Sequence, residues 1–163
     1  MELAILIGLQ ASGKSTFFRV KLAPTHQQIS KDLLQNHKHR QRRQMELLNV
    51  ALAAGQSVAI DNTNPSIEVR RVLIQCGQQY GAEIVGYYFQ SQLQACLQRN
   101  QQRQGRARVP DVGVYATAKQ LALPSYSEGF QRLFYVAIAP NYEFVMRPWP
   151  VQMIPSPNFL PQK

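Results

Sequence analysis

Acidic residues are scarce in this chain: 9 Asp and Glu stand against 18 Lys and Arg, for a formal net charge of +9 over 163 residues. That deficit points to an anionic partner such as a nucleic acid, a nucleotide or a membrane surface. Cysteine is nearly absent. Cys76 and Cys96 do not make a disulfide framework, which excludes a stapled secreted scaffold and leaves a reducing cytoplasm as the expected compartment. Long apolar runs are missing too, none approaching the roughly 20 residues that span a bilayer. The chain also lacks a basic leader: Met1-Glu2 is followed by a short apolar run that breaks at Gly8, unlike a secretory signal. The 3 histidines and the two cysteines show no metal-ligand spacing, and no Ser/His/Asp or Cys/His constellation stands out. There is no internal repeat. What is present, a 45% hydrophobic composition, fits one domain with an adequate core and no membrane span.

The pattern of elements comes next. Leu3 to Ile7 is a continuous apolar run, as in a strand buried on both faces. A helix is predicted from Lys14 to about Leu22, broken by Pro24, with Thr25 to Ser30 as a short second strand. Asp32 reads as the N-cap or first-turn residue of a long helix reaching Ala54 and stopped by Gly55. Ser57 to Ile60 reads as a strand, and Asn64-Pro65 as a cap-then-first-turn pair opening a helix to about Tyr80. Ile84 to Phe89 is a strand, Ser91 caps a helix to about Arg103, Asp111 to Leu121 is a shorter helix, and Leu133 to Ile138 is the last core strand. Apolar strands alternating with helices predict an α/β fold with a parallel sheet of about five strands. Residues 1–147 form the domain. Residues 148–163, with Pro148, Pro150, Pro155, Pro157 and Pro161, read as an extended or disordered tail.

The segment Gly8-Leu9-Gln10-Ala11-Ser12-Gly13-Lys14-Ser15 satisfies the G-x-x-x-x-G-K-[ST] pattern. It follows a buried strand and opens a helix, as a phosphate cradle requires. Glycines let successive N–H groups turn toward phosphate oxygens, and the helix start adds partial positive charge. Lys14 is placed to reach the β- and γ-phosphates, with Ser15 as a magnesium ligand and Thr16 beside it. This predicts a P-loop fold that binds ATP and Mg2+. Asp61, ending the strand in "VAIDNTNP", fits a metal-supporting carboxylate, or else a turn residue beside Asn62 and Asn64. Asp32 fits either a helix cap or the base that accepts a proton from an acceptor hydroxyl. The run "NHKHRQRR" from Asn36 to Arg43 is either a solvated helix face or a holder for an anionic acceptor. "RNQQRQGRAR" is either an exposed basic loop or a lid that closes its arginines, Arg99 and Arg103 among them, over phosphates.

Taken together, "GLQASGKST", the "KD" at Asp32, "VAIDNTNP", "RNQQRQGRARVP" and the Tyr115-to-Pro124 pattern followed by "EGF" resemble the polynucleotide 5′-kinase group of P-loop kinases. That group includes the kinase domain of polynucleotide kinase-phosphatases. The resemblance covers roughly residues 3 to 138. It implies a nucleotide-kinase-like three-layer αβα sandwich with a helical lid. It further implies Asp32 as general base, Lys14 and Arg103 as the other catalytic residues, and Asp61 as support for the metal. Gly8, Gln10, Ala11, Ser12, Gly13 and Arg99 would join the nucleotide site. Asn62, Asn64, Arg40 and Arg43 would lie on the acceptor side, where the choice among Arg40, Arg42 and Arg43 stays open. The implied acceptor is the 5′-OH of a nucleic acid or a nucleotide-like molecule. A kinase of a small metabolite or antibiotic, and a nucleotide-binding regulatory module, are the alternatives.

Overall fold

A computed structural model describes residues 1–150. Its centre is β1 (Glu2–Ile7), whose residues Leu3 to Ile7 are all fully buried. A strand hidden on both faces must be apolar at every position, and this one is. β1 lies between β3 (Val58–Ile60) and β4 (Glu83–Phe89), parallel to both, with Ile5 opposite Ile60 and Gly86. β2 (Gln27–Ile29) extends the sheet beyond β3, and β5 (Arg132–Ile138) extends it beyond β4, again in parallel. β6 (Phe144–Pro148) closes the far edge antiparallel to β5, giving the order β2-β3-β1-β4-β5-β6.

The period-two alternation of β1 separates two cores. Leu3, Ile5 and Ile7 join Leu48, Leu73, Leu97 and Val114 in one buried cluster. Those partners come from α2 (Arg40–Ala53), α3 (Ile67–Gln79), α4 (Leu93–Gln101) and α5 (Asp111–Gln120). Ala4 and Leu6 face the other way, onto Phe17, Phe18 and Leu22, which belong to α1 (Lys14–Phe17) and the π-helical turn Phe18–Leu22 that continues it. The result is a three-layer α/β/α arrangement. Phe17 locks α1 to the sheet, its ring centroid 5.3 Å from those of Tyr87, Phe89 and Phe144. The helix that starts at the phosphate loop is thereby fixed to two strands, β4 and β6.

Five details differ from the sequence-based expectations. The sheet has a sixth strand. A tight turn with Tyr142 at φ 64 and a bond from Ala139 N–H to Glu143 O at 2.8 Å returns the chain along β5. Pro148 is tolerated at the end of this edge strand, where a missing N–H costs little. Trp149 is buried and stacks edge-on to Tyr88, so ordered packing runs past Arg147; residues 151–163 lie outside the described residues. The long helix expected from Asp32 to Ala54 is two pieces, a 3-10 turn at Lys31–Leu34 and then α2 from Arg40. The intervening "QNHKH" holds weak helix formers, and α2 has no acid in its first turn to offset its cluster of positive charge. Ser66, not Asn64, caps α3, accepting from Val69 N–H at 3.3 Å. Ser91 does not cap α4, which Gln92 precedes; its role is described below. Among the described residues no helix is long and apolar enough to cross a membrane.

Candidate nucleotide and acceptor site

The sheet's topology decides where the loops gather. From β1 the chain crosses to β2 at one edge and returns through β3, then passes to β4 on the other side of β1, and a parallel sheet opens its crevice at such a switch point, at the carboxyl ends of the strands. The loops after β1, β2 and β3 therefore converge. After β1 the chain turns through Gly8 at φ 154, Ala11 at φ 59 and Gly13 at φ 102. Gly13 needs its missing side chain for a second reason: a Cβ there would meet Ile138 at 3.0 Å and Phe144 at 3.2 Å. The loop is held from outside by Ser91, whose hydroxyl accepts from Leu9 N–H at 3.1 Å and donates to Phe89 O at 2.8 Å. Gly8 N–H donates to Thr63 O at 3.0 Å, tying the loop to the segment after β3.

Lys14 is buried, and its ammonium donates to Gly8 O at 3.0 Å, to Leu9 O and to Ser12 Oγ at 3.3 Å. Burial pushes its pKa down to about 8. The negative charge of Asp61 and, more weakly, of Asp32 opposes that shift, while the positive charge of Arg103 adds to it. The phosphate-loop lysine thus shares one electrostatic neighbourhood with both candidate carboxylates and the candidate lid arginine. Ser15 and Thr16 are exposed at the start of α1.

Asp61 is buried at the end of β3, where its Oδ2 accepts from Gln28 Nε2 at 2.7 Å. Asn62 Oδ1 accepts from Lys31 N–H at 2.9 Å, and its Nδ2 donates to Gln44 Oε1 at 2.7 Å. It holds the Asp32 turn and α2 in place. Asn64, expected on the acceptor side, is buried, and its amide donates to Leu6 O at 2.7 Å; it bridges β1 and the loop after β3. The left-handed conformation of Asn64, φ 43, is one that Asn tolerates better than most residues.

Asp32 stands exposed on its 3-10 turn, with its backbone N–H donating to Ser30 Oγ at 3.2 Å. Beyond it His37, Lys38, His39, Arg42, Arg43 and Glu46 line an open pocket of about 220 Å³. Arg42 and Arg43 both bond Glu46 at 3.1 Å, while Arg40 is exposed at the first turn of α2. On the opposite side Arg99 is half-buried, donating from Nε to Ala11 O at 2.7 Å. Arg103 is exposed just past α4, its guanidinium 3.4 Å from Ala107 O. Arg106 reaches Gln35 Oε1 at 3.5 Å, so the basic loop meets the segment that follows Asp32. Lys14, Asp32 and Asp61 thus stand on the loops after β1, β2 and β3, Arg103 stands on the basic loop whose Arg106 reaches Gln35, and Asn62, Asn64 and Arg99 hold the backbone around them.

Sequence reasoning missed several supports. Asn100 is fully buried and takes both hydrogen bonds of Val109, donating to its O at 2.6 Å and accepting from its N–H at 3.1 Å. This clamp closes the base of the basic loop. Arg70 is also fully buried and pairs bidentately with Glu128 at 2.8 and 2.9 Å. Its remaining nitrogen donates to the carbonyls of Asn64, Pro65 and Ala122. A signal existed: Arg70 shares one helix face with Leu73, Ile74 and Gly77, so it stands at the head of a buried stripe. The Asn100 clamp has no such signature, because an Asn at a helix end ordinarily faces water.

The comparison with protein-family models then bears on what this arrangement is. A model described as an AAA domain matches residues 3–124, from β1 to just past α5. The chain belongs to that AAA-domain family. Within the family setting, the resemblance to polynucleotide kinase is carried by a bifunctional polynucleotide phosphatase/kinase of Schizosaccharomyces pombe, 27% identical over 133 residues. The match takes in 79% of this chain but 32% of the relative, so the AAA-domain chain spans about a third of that protein's length. Among solved structures, a gluconokinase from Sinorhizobium meliloti superposes with a TM-score of 0.59 at 18% identity, over 85% of this chain and 83% of its own. A Pnkp1/Rnl/Hen1 complex gives 0.55 at 23%, over 68% and 43%. Chaetomium thermophilum Kti12 in complex with ADP-AlF3 gives 0.60 at 15%, over 83% and 88%. At these identities the solved structures establish the fold alone: a three-layer α/β sandwich.

Proposed function

We propose that the chain is an ATP-dependent phosphotransferase that moves a γ-phosphoryl group to the 5′-OH of a nucleic acid or a nucleotide-like acceptor. The observation that carries this reading is the phosphate loop itself, with positive-φ turns at Gly8, Ala11 and Gly13 and a buried Lys14 opening α1, set among the loops after β1, β2 and β3. Phosphoryl transfer needs little covalent chemistry from the protein and much positioning of charge. Lys14 and the backbone N–H groups from Gly13 to Thr16, at the start of α1, bind the β- and γ-phosphates of ATP. Asp32, exposed and facing the acceptor side, orients the hydroxyl and takes its proton. Arg103 lies on charge developing on the transferring group.

The donor set fits magnesium. Ser15 offers a free hydroxyl, and Asp61 keeps Oδ1 available beside the Oδ2 held by Gln28. A hard cation that retains water and takes phosphate oxygens needs no more protein ligands than these. When bound, magnesium would neutralise phosphate charge. Lys38, Arg42 and the two histidines of the open pocket attract an anionic acceptor, with Arg40 and Arg43 beside them. Two buried free cysteines are consistent with a cytoplasmic location.

A second reading has its own support. The gluconokinase is matched over 83% of its length, which favours a small polar acceptor in the same place. Incubation with γ-labelled ATP and magnesium against 5′-OH oligonucleotides, nucleosides and small sugars, in low and high salt, separates the two. Transfer to oligonucleotides that falls steeply with salt is expected, because phosphate contacts release counterions. Transfer to a neutral sugar alone, insensitive to salt, would replace the first reading by the second.

A further inference from the structure

The crest of the phosphate loop is tied on both sides to the helices that flank the basic loop. On one side Arg99 of α4 donates to the carbonyl of Ala11 at 2.7 Å, which the left-handed turn at Ala11 presents. On the other, Gln10 Nε2 donates to Thr117 Oγ1 of α5 at 2.9 Å. Thr117 Oγ1 in turn donates to Gly113 O at 2.9 Å, so its lone pairs are free to accept from Gln10. The Gln10 carbonyl oxygen is buried and has no partner among the described residues. The bond to Thr117 is therefore the polar contact that fixes this side chain.

Between α4 and α5 lies the loop carrying Arg103 and Arg106, closed at its base by the Asn100–Val109 clamp. That clamp joins the end of α4 to the approach to α5, and the crest of the phosphate loop is bonded to these two helices at two consecutive residues. Any shift of Gln10 and Ala11 when phosphate fills the loop is passed to the base on which Arg103 rides. We propose that Gln10 is a positioning residue that carries nucleotide occupancy of the phosphate loop to the lid through Thr117. The inference rests on the nucleotide-binding reading above. It also assigns a purpose to a side chain that the G-x-x-x-x-G-K-S pattern leaves unspecified.

Release of a fluorescent ATP analogue with magnesium, followed by stopped flow, tests it. Thr117 lies on α5, outside the phosphate loop, so Thr117→Val removes the contact without altering the loop's own sequence. Release about fivefold faster is expected from Thr117→Val, the effect of one net hydrogen bond. Gln10→Ala should match it, and the double variant should add nothing, because both remove the same bond. In an Arg103→Ala background, Thr117→Val should have no further effect. Release within twofold of wild type in Thr117→Val, or an acceleration that persists without Arg103, would overturn the coupling while leaving nucleotide binding intact. A wild-type chain that does not bind the analogue would instead remove the underlying reading. Denaturation midpoints of the variants show whether the folded state is kept for these measurements.

Discussion

Lys14→Met should stabilise the free protein, although it removes the residue on which triphosphate binding most depends. The reason lies in burial. Lys14 is 7% exposed, and the fold lowers its pKa from 10.5 to about 8, a drop worth about 3 kcal/mol of disfavoured charge. Its three hydrogen bonds and the Asp61 carboxylate are already included in that balance, and burial still wins. Below pH 8 the lysine is charged in both the folded and unfolded states, and the full penalty applies. Between about 8 and 10.5 the folded state has released a proton that the unfolded state retains, so stability rises with pH and the penalty fades. Methionine keeps the unbranched shape without the charge. Urea denaturation at pH 7 should place Lys14→Met about 1 to 3 kcal/mol above wild type, given the lost polar contacts. The gap should narrow as pH approaches 10, since other titrating groups are common to both proteins and cancel. A variant less stable than wild type at pH 7, or a gap independent of pH, would refute the reasoning.

Removing Glu128 tests the hidden keystone. Glu128→Ala leaves the Arg70 guanidinium buried without its partner and should cost about 3 to 5 kcal/mol, seen as a lower urea midpoint, whereas a change under 1 kcal/mol would mean that water reaches Arg70. Asn100→Ala should free the base of the basic loop. Trypsin cleavage after Arg103, Arg106 or Arg108 should accelerate several-fold while the core stays resistant, as local opening rather than global unfolding governs it. Affinity for ATP should be flat below about pH 7 and fall up to tenfold per pH unit above 8, as free Lys14 loses the proton that the phosphates require; titration calorimetry would show the accompanying proton uptake.

How much was legible in the sequence depended on whether the cause was local. β1, β3, β4 and β5 could be read from apolar runs because strands buried on both faces tolerate little else. The phosphate loop could be read because its glycines meet a backbone requirement that few sequences satisfy by chance. The break between Asp32 and α2 was harder, since "QNHKH" holds neither the glycine nor the proline that would mark a helix boundary. β6 was obscured by its own composition: the prolines after Arg147 signal irregular chain, yet an edge strand can end on one. The site's framework was least visible. Ser91 looks like a helix cap, Asn64 like a turn residue and Arg70 like a surface arginine, and each owes its role to partners 52 to 82 residues distant, such as Leu9, Leu6, Ala122 and Glu128. Local propensity carries no record of such contacts.

The central claim is that Asp32 activates an acceptor hydroxyl beside a phosphate loop that binds ATP. Its most direct test is transfer of the γ-phosphoryl of labelled ATP to a 5′-OH oligonucleotide by wild type and by Asp32→Ala, with ATP binding measured in parallel. Loss of transfer by about a hundredfold or more, the range of a removed general base, with ATP binding unchanged, is the predicted result. Full transfer by Asp32→Ala with ATP bound would contradict it.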